Sequence, residues 1–442
     1  MTTSLPHRGA TLALDREREG LVEAACRHVD DTEMAELIST MTSIPSPTGE
    51  ERPLAEWLAA RLRDAGLDAR SQALDDQQAN AWGRVPGSGG GPSLMLYAPI
   101  DTLIAGIAEE DVPWAGPTLD AHMRPAAVRD GSLVRGLGAS NPKGHAACVL
   151  AAITAIARTG LCLRGDLLAG FGAGGMPTNA RPGMRPDSGH GVGCASLLEH
   201  GVHPDLAVIA KPGWTVSWEE VGLAWVEARV GGTHTYVGSR HRLPFTDAIV
   251  GAAKLIAALN EWFPTFTARH TAGTVAPQAI VGAIEGGWWR MAAVTPAVCR
   301  FRVDLRLAPT TTPQEAHTEI GEVLDAAARR LGLQVEHELI VAIPGSHTAP
   351  DHPLVIAAVE AWEHAEGRPH EVIVGNSGAT DANILRAHGV PTVRIGMPKV
   401  AGITDFELGM NTVDLEEMVR LTQLLIRVAI NVTSRTREEM VP

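Results

Sequence analysis

Two stretches of the sequence place polar side chains where an α/β sheet usually performs its chemistry. Residues 94–97 form an apolar run typical of a buried strand, and Asp101 follows a few residues later. Residues 135–144 form a glycine-rich turn that contains Asn141 and Lys143 and opens onto a helix of small residues. Because ligands of open α/β sheets bind beyond the carboxyl ends of the strands, both stretches predict parts of one site.

Length and charge narrow the classes of protein to consider. A chain of 442 residues exceeds one ordinary domain and suggests two. The formal net charge of −14 argues against nucleic acid or an anionic membrane as a partner. Residues 1–31 lack the apolar stretch of a signal peptide, and apolar runs such as 146–156 are too short to span a bilayer. We therefore expect a cytoplasmic protein that binds a small molecule.

Apolar periodicity predicts an α/β fold in which one domain is inserted into another. In the first part of the chain we expect helices at 33–44, 53–64, 145–158 and 194–200, and strands at 68–74, 79–84, 94–97, 166–171 and 206–210. The pattern changes near Trp218, where strands at 221–230, 278–284 and 297–307 and helices at 247–262 and 312–331 form a smaller unit. The chain then returns with helices at 353–366 and 413–433 and a strand at 389–396. We predict domain segments at 1–217, 218–341 and 342–442.

The order of the motifs resembles that of the M20 family of zinc peptidases and amidohydrolases. Its signatures are similar to residues 99–102, 136–144, 231–234, 303–306 and 376–382 of this chain. The resemblance implies a catalytic domain with a mixed, mostly parallel sheet flanked by helices. It also implies an inserted two-layer α/β lid, or dimerisation, domain, and hence a homodimer.

The metal ligands of that family are not repeated. Carried over by position, the first histidine ligand falls on Pro99, the bridging aspartate on Asn141, and a later acidic ligand on Lys211. The paired glutamates, one of which is the general base, fall on the glycines of residues 171–176, and the last histidine falls on Glu407 or, with a shifted loop, on Thr404. Zinc needs histidine, cysteine or carboxylate ligands. We therefore predict no metal and no cofactor, with the dinuclear zinc of the family absent.

The replacements leave a set of candidate catalytic residues. A buried carboxylate such as Asp101 costs free energy unless it is paired, and Lys211 is available to pair with Asp101 or Glu407. Lys211 could then stabilise developing negative charge much as a metal would. His234 matches the lid histidine that stabilises the oxyanion in the family, and Asn141 completes the catalytic candidates. The resemblance gives four candidate substrate-binding residues: Lys143, Asn376, Ser377 and Asp381.

Three functions remain open on the sequence. The first is an enzyme that acts on an amide-type or amidine-type C–N bond without zinc, with Asp101 or Glu407 as the base. The second is a pseudoenzyme that binds a small ligand or a partner chain in the cleft that corresponds to the active site of the family. The third is a hydrolase with one harder metal ion held by Asp101 and Glu407 together with Asp405 or Asp381. Neither the substrate nor the reaction, whether hydrolysis, elimination or condensation, follows from these residues.

Overall fold

The structure is a computed structural model that describes residues 12–440. Within these residues the α-helices are α1 (Arg16–Cys26), α2 (Asp31–Ser43), α3 (Arg52–Asp64), α4 (Ala108–Asp111), α5 (Lys143–Arg158), α6 (Val192–Glu199), α7 (Ala248–His270), α8 (Pro313–Leu331), α9 (Pro353–Glu366), α10 (Ala382–Ala387), α11 (Phe406–Met410) and α12 (Leu415–Thr433). Short 3₁₀ turns lie at Ala121–Met123, Val237–Ser239 and Glu438–Met440.

The strands of the described residues fall into one larger sheet, one four-stranded sheet and three small pairings. They are β1 (Asp68–Ala73), β2 (Ala79–Val85), β3 (Leu94–Pro99), β4 (Val128–Asp130), β5 (Leu133–Arg135), β6 (Leu167–Gly172), β7 (Leu206–Ala210), β8 (Glu219–Glu220), β9 (Gly222–Gly231), β10 (Thr235–Tyr236), β11 (Ala279–Gly286), β12 (Val294–Thr295), β13 (Val298–Leu307), β14 (Val335–Ile343), β15 (Ser346–His347), β16 (Thr392–Ile395) and β17 (Thr412–Asp414).

The chain divides into two compact units. Among the described residues, the first contains 12–218, Thr348–Val372 and 380–440. The second contains Glu219–His347 together with the short segment Ile373–Ala379. The sequence-based prediction instead assigns residues 342–442, which include this short segment, to the second part of the catalytic domain. The designation of the second unit as a lid or dimerisation domain stays a prediction.

The first unit is built on a six-stranded sheet with the order β1-β2-β6-β3-β7-β16. β6, β3, β7 and β16 are parallel to one another, whereas β1 and β2 are antiparallel to their neighbours. The predicted mixed, mostly parallel sheet is confirmed. Since four adjacent strands run in the same direction, their carboxyl ends lie along one edge of the sheet.

Both faces of this sheet are covered by helices, as expected for a parallel sheet. Along β3, Leu94, Leu96 and Ala98 pack into the core that contains α5 and α12, while Met95 and Tyr97 face a second core that contains α6 and α10. α5 is buried from its first residue to Ile156, which explains why its sequence consists of small and apolar residues. No helix within residues 12–440 is long and apolar enough to cross a membrane.

The second unit contains a four-stranded antiparallel sheet with the order β11-β13-β9-β14. Alternate residues of β9 and β13, such as Val226 and Phe301, pack with α7 and α8 into a separate core. The intervening residues, among them Glu227 and Arg302, form ion pairs on the opposite face. The period-two alternation of these strands is what makes them recognisable in the sequence.

Besides short helices and strands that were not predicted, three longer elements differ from the sequence-based prediction. The prediction omits α1, because this polar helix buries little, chiefly Val22 and Ala25. β14 is also absent, although its alternating pattern of burial is typical of an edge strand. α7 continues past the predicted end at residue 262, through Pro264 to His270, because Phe266 is fully buried in the core. Tertiary packing thus overrides the local preference of proline.

Candidate active site

The candidate site lies at the carboxyl ends of three adjacent parallel strands. β3 ends at Pro99, β6 at Gly172 and β7 at Ala210, and β3 pairs with the other two. The residues that follow these ends therefore leave the sheet along the same edge. They include Asp101 after β3 and Lys211 directly after β7, as the strand pattern predicts.

Asp101 is fully buried and held by three hydrogen-bond donors. Its Oδ2 accepts from the Thr48 hydroxyl at 2.7 Å and from the Met176 amide at 3.0 Å, and its Oδ1 accepts from the Gly175 amide at 2.8 Å. Burial raises the pKa of Asp101, whereas these hydrogen bonds and the charge of Lys211 act in the opposite direction. Backbone amides and a hydroxyl thus supply the pairing that a buried carboxylate requires.

Pro99 and Gly175 pack directly against each other. A Cβ atom at Gly175 would lie 2.3 Å from Cβ of Pro99 and 2.8 Å from Oδ2 of Asp381. A Cβ at Gly174, which has a positive φ of 60°, would lie 2.0 Å from the carbonyl oxygen of Ser188. Real Cβ atoms do not approach other atoms so closely. Positions 174 and 175, within the segment that corresponds to the paired glutamates of the resemblance, therefore have no room for a side chain.

Glu51 is a second buried carboxylate beside Asp101. Its Oε1 accepts from the amides of Gly174 at 2.8 Å and Gly49 at 3.1 Å and from Gln78 Nε2 at 3.3 Å. Its Oε2 has no hydrogen-bond partner among the described residues. Burial first, and then the charge of Asp101, raise the pKa of Glu51 to about 8.

Glu51 is not among the residues predicted from the sequence. It stands immediately before the first residue of α3, where an acidic residue is usually explained by the helix dipole. The contact between Glu51 and Gly174 joins segments far apart in sequence, so no local pattern reveals it.

Lys211 lies among the polar groups at the end of β7. Its side chain is largely buried, with the residue only 5% exposed, and Nζ donates to Asn141 Oδ1 at 3.3 Å. The sulfur of Met176 lies 4.0 Å from the same nitrogen. Burial raises the pKa values of both Asp101 and Asp381, and the positive charge of Lys211 opposes this rise. The structure therefore brings together four of the predicted site residues: Asp101, Asn141, Lys211 and Asp381.

The backbone that carries Lys211 is fixed from two sides. A Cβ at Gly396 would lie 1.7 Å from the carbonyl oxygen of Lys211, so the two backbones are in direct contact. Three residues later, Trp214 Nε1 donates to Glu366 Oε1 at 2.5 Å. The Arg420 guanidinium lies 4.2 Å from the ring centre of Trp214 and also pairs with Glu366. These contacts leave Lys211 little freedom to change position.

Asp381 is buried and accepts a hydrogen bond from a buried tyrosine. The Tyr97 hydroxyl donates to Asp381 Oδ2 at 2.6 Å. A Cβ at Gly172 would lie 1.8 Å from the Tyr97 oxygen, so glycine there makes room for the ring. Burial raises the pKa of Asp381 to about 7, against the effects of Tyr97 and Lys211. Tyr97 was not predicted, since its position in an apolar strand indicates only a core residue.

The other predicted residues of the first unit have different surroundings. Lys143 is fully buried and Nζ donates to the carbonyl oxygen of Ile44 at 2.7 Å; burial lowers its pKa to about 7. Glu407 is half-buried, and its Oε2 accepts from Asn411 Nδ2 at 3.5 Å. Burial and the neighbouring charge of Asp405 raise the pKa of Glu407. The roles of Lys143 and Glu407 stay predictions.

Three predicted residues belong to the second unit. His234 is exposed, and its Nδ1 lies 3.1 Å from the carbonyl oxygen of Thr295. Asn376 Oδ1 accepts from the Gly378 amide at 3.1 Å, and the Ser377 hydroxyl donates to the carbonyl oxygen of Ala276. The last two fall in the segment Ile373–Ala379. Their proposed catalytic and substrate-binding roles also stay predictions.

The donor set does not fit two zinc ions. Pro99 and Gly175 carry no ligand atom, Lys211 carries a positive charge, and both oxygens of Asp101 already accept from protein donors. Within residues 12–440 no group of three or more His, Cys, Asp or Glu side chains is arranged to hold a metal ion.

Comparison with solved structures identifies the architecture. A carboxypeptidase of the M20 family from Sulfolobus solfataricus, Sso-CP2, superposes with a TM-score of 0.65 over 95% of this chain and 100% of its own, at 13% identity. YXEP of Bacillus subtilis, described as a dinuclear metal-binding peptidase of the M20 family, gives a TM-score of 0.62 over 91% and 98%, at 16% identity. The chain has the M20 fold. The resemblance indicated by the motifs is thereby confirmed.

Among curated proteins, one relative aligns with nearly the whole chain. The N-formyl-4-amino-5-aminomethyl-2-methylpyrimidine deformylase of Bacillus subtilis is 24% identical over 448 residues, which cover 92% of this chain and 96% of the deformylase. No protein-family model matches the chain.

The packing of Gly175 against Pro99 predicts a strong effect of one added methyl group. Gly175→Ala should lower the free energy of unfolding by about 1 to 3 kcal/mol, because the new Cβ overlaps Pro99 and pushes the amide away from Asp101. Chemical denaturation measures this change. Gly282→Ala is the control, since a Cβ there meets nothing within 4 Å. Equal effects of the two substitutions would contradict the packing.

The raised pKa of Glu51 predicts a pH-dependent stability. The folded protein holds this proton up to about pH 8, whereas the unfolded chain releases it near the ordinary value of 4.5. The stability that Glu51 contributes is therefore full below pH 4.5 and is lost as the pH rises toward 8.

Glu51→Gln should remove this loss. The free energy of unfolding of the unmodified protein, relative to the variant, should fall between pH 5 and 8 by up to about 1.4 kcal/mol per pH unit. Denaturation at a series of pH values measures the difference. The exposed Glu416 provides the control substitution, Glu416→Gln. A pH profile that is the same with glutamine at position 51 would show that Glu51 does not carry the proton.

Proposed function

We propose that the chain is an M20-fold enzyme that acts on an amide-type C–N bond of a small molecule without a dinuclear zinc centre. The observation that carries the proposal is Lys211, a largely buried ammonium held at the end of β7 against Asn141. A fixed positive charge in a site with little water stabilises an oxyanion strongly. Lys211 thus takes the electrostatic part that a metal ion plays in a hydrolase.

The relative of known activity supports this class of reaction. Its name states that it is a deformylase of an N-formyl aminopyrimidine, a reaction that breaks the C–N bond of a formamide. The alignment covers almost all of both chains. A small formamide or related amide is therefore the first substrate class to test.

Proton transfer is assigned to Asp381. A group that both accepts and donates protons works best when its pKa lies near the operating pH. The pKa of Asp381, about 7, meets this condition, and Tyr97 holds the carboxylate in place. In the proposed reaction a water attacks the carbonyl carbon, its proton passes to Asp381, and the same proton then reaches the leaving nitrogen. Lys211 and Asn141 bind the carbonyl oxygen.

A non-catalytic ligand-binding protein is the second candidate. Asp101 and Glu51 are 0% exposed and accept from the amides of Gly175 and Gly174. They stabilise this loop and are poorly available as general bases. Asp381 is itself only 3% exposed, and a site whose acids are all buried favours a binding role. A remodelled site for one harder metal ion has less support, because the described residues offer no group of three suitable donors.

The homodimer is proposed together with the enzyme. Ile280 and Ile284 on β11, an edge strand of the second unit, are 62% and 56% exposed. Exposed apolar residues on an edge strand favour pairing with another chain.

Lys211→Met tests the proposed function, because methionine keeps the volume and removes the charge. On a panel of formamides and small amides, starting with N-formyl aminopyrimidines, kcat/KM should fall about 100-fold or more. Lys211→Arg should retain more activity than Lys211→Met, since the charge is kept. Lys254→Met, an exposed lysine on α7, should have no effect.

Two results would overturn the proposal. One is full activity of Lys211→Met, which would make the lysine structural only. The other is the absence of turnover on the whole panel while calorimetry detects a panel compound bound to the unmodified protein, which would favour the ligand-binding protein. Thermal unfolding of each variant confirms that the protein is folded when it is assayed.

A further inference from the structure

A pair of histidines in the second unit forms an arrangement that the proposed reaction does not use. On α8, His317, Gly321 and Asp325 are spaced four residues apart and therefore share one face of the helix. His337 lies on β14, the strand that packs beside this helix. These four residues come together on the surface of the unit, with the side chains of His337 and Asp325 21% and 48% exposed.

Gly321 allows the ring of His337 to lie against the helix. A Cβ at Gly321 would be 2.5 Å from Cε1 and 3.0 Å from Nε2 of this ring. The ring is thus held between His317 on one side and Asp325 on the other. Any larger residue at position 321 would displace it.

The two imidazoles present a nitrogen to each other. His317 Nε2 and His337 Nδ1 are 3.1 Å apart, and the ring planes are nearly perpendicular at 78°. Zinc binds imidazole nitrogen at about 2.0 to 2.1 Å, so two nitrogens on one ion lie roughly 2.9 to 3.4 Å apart. The observed separation falls within this range. Without metal, one ring N–H donates to the other nitrogen, and a bound ion would take the place of that proton.

We propose that His317 Nε2 and His337 Nδ1 bind a divalent transition-metal ion, such as Zn²⁺ or Cu²⁺, at the surface of the second unit. The chain supplies two ligands, and water completes the coordination of the ion at this partly exposed position. Imidazole ligands select ions of this class over Mg²⁺ and Ca²⁺, which prefer oxygen.

Asp325 places a negative charge near the second nitrogen of His337. Its Oδ1 lies 3.7 Å from His337 Nε2, on the side of the ring away from His317. Metal-binding histidines commonly direct their second nitrogen toward a carboxylate, which fixes the tautomer and the ring orientation. The distance is too long for a hydrogen bond, so Asp325 acts through its charge, which favours a proton on Nε2 and leaves Nδ1 to bind the ion.

Calorimetric titration of the chelator-treated full chain tests the proposal, with ZnCl₂, CuCl₂ and MgCl₂ as probes. We expect one zinc ion per chain at this site, tighter binding of copper than of zinc, and no binding of magnesium. His317→Asn and His337→Gln should each remove this zinc equivalent. His241→Gln, which changes an exposed histidine elsewhere in the unit, should leave it unchanged.

Two further variants keep both histidine ligands and test the residues around them. Asp325→Asn should weaken zinc binding about tenfold through the loss of orientation. Gly321→Ala should also weaken it, because the new Cβ displaces the ring of His337. Thermal unfolding without metal shows whether each variant is folded. No zinc binding by the unmodified chain would overturn the proposal. Zinc binding by either histidine variant that equals that of the unmodified chain would overturn it as well, and unchanged affinity in Asp325→Asn would overturn the role of Asp325.

Discussion

The hydrogen bonds from the amides of Gly175 and Met176 to Asp101 are the interaction on which the candidate site depends. A carboxylate with no solvent exposure is expensive unless it is paired, and hydrogen bonds to a charged group contribute about 1.5 to 3 kcal/mol each. Thr48 adds a third donor. The protein's own donors therefore satisfy both oxygens of Asp101.

The need to satisfy Asp101 within the protein also accounts for the residues around it, namely Pro99, Gly175 and Lys211. The loop that contains Gly174 and Gly175 can approach Asp101 only because residue 175 has no side chain. Pro99 fills the space beside Gly175. Lys211 then provides a positive charge near Asp101 and Asp381. The changes are mutually compatible in shape and in charge, which explains how an M20 fold at low sequence identity to its metal-binding neighbours forms a well-packed site.

Much of this arrangement could be predicted from the sequence, because strand ends are local features. The runs that became β3 and β7 placed Asp101 and Lys211 at one edge of the sheet, and the M20 resemblance located Asn141. Glu51 and Tyr97 could not be found this way. Their partners, Gly174 and Asp381, are distant in the chain, and a helix-start acid or a core tyrosine has an adequate local explanation.

The central claim is that groups of the protein replace the metal ions of the M20 site. The most direct test is elemental analysis of zinc after dialysis against excess zinc and then against zinc-free buffer. The variant His337→Gln should be used, so that the surface site proposed above does not contribute. The account predicts well below one zinc ion per chain, and two zinc ions retained per chain would contradict it.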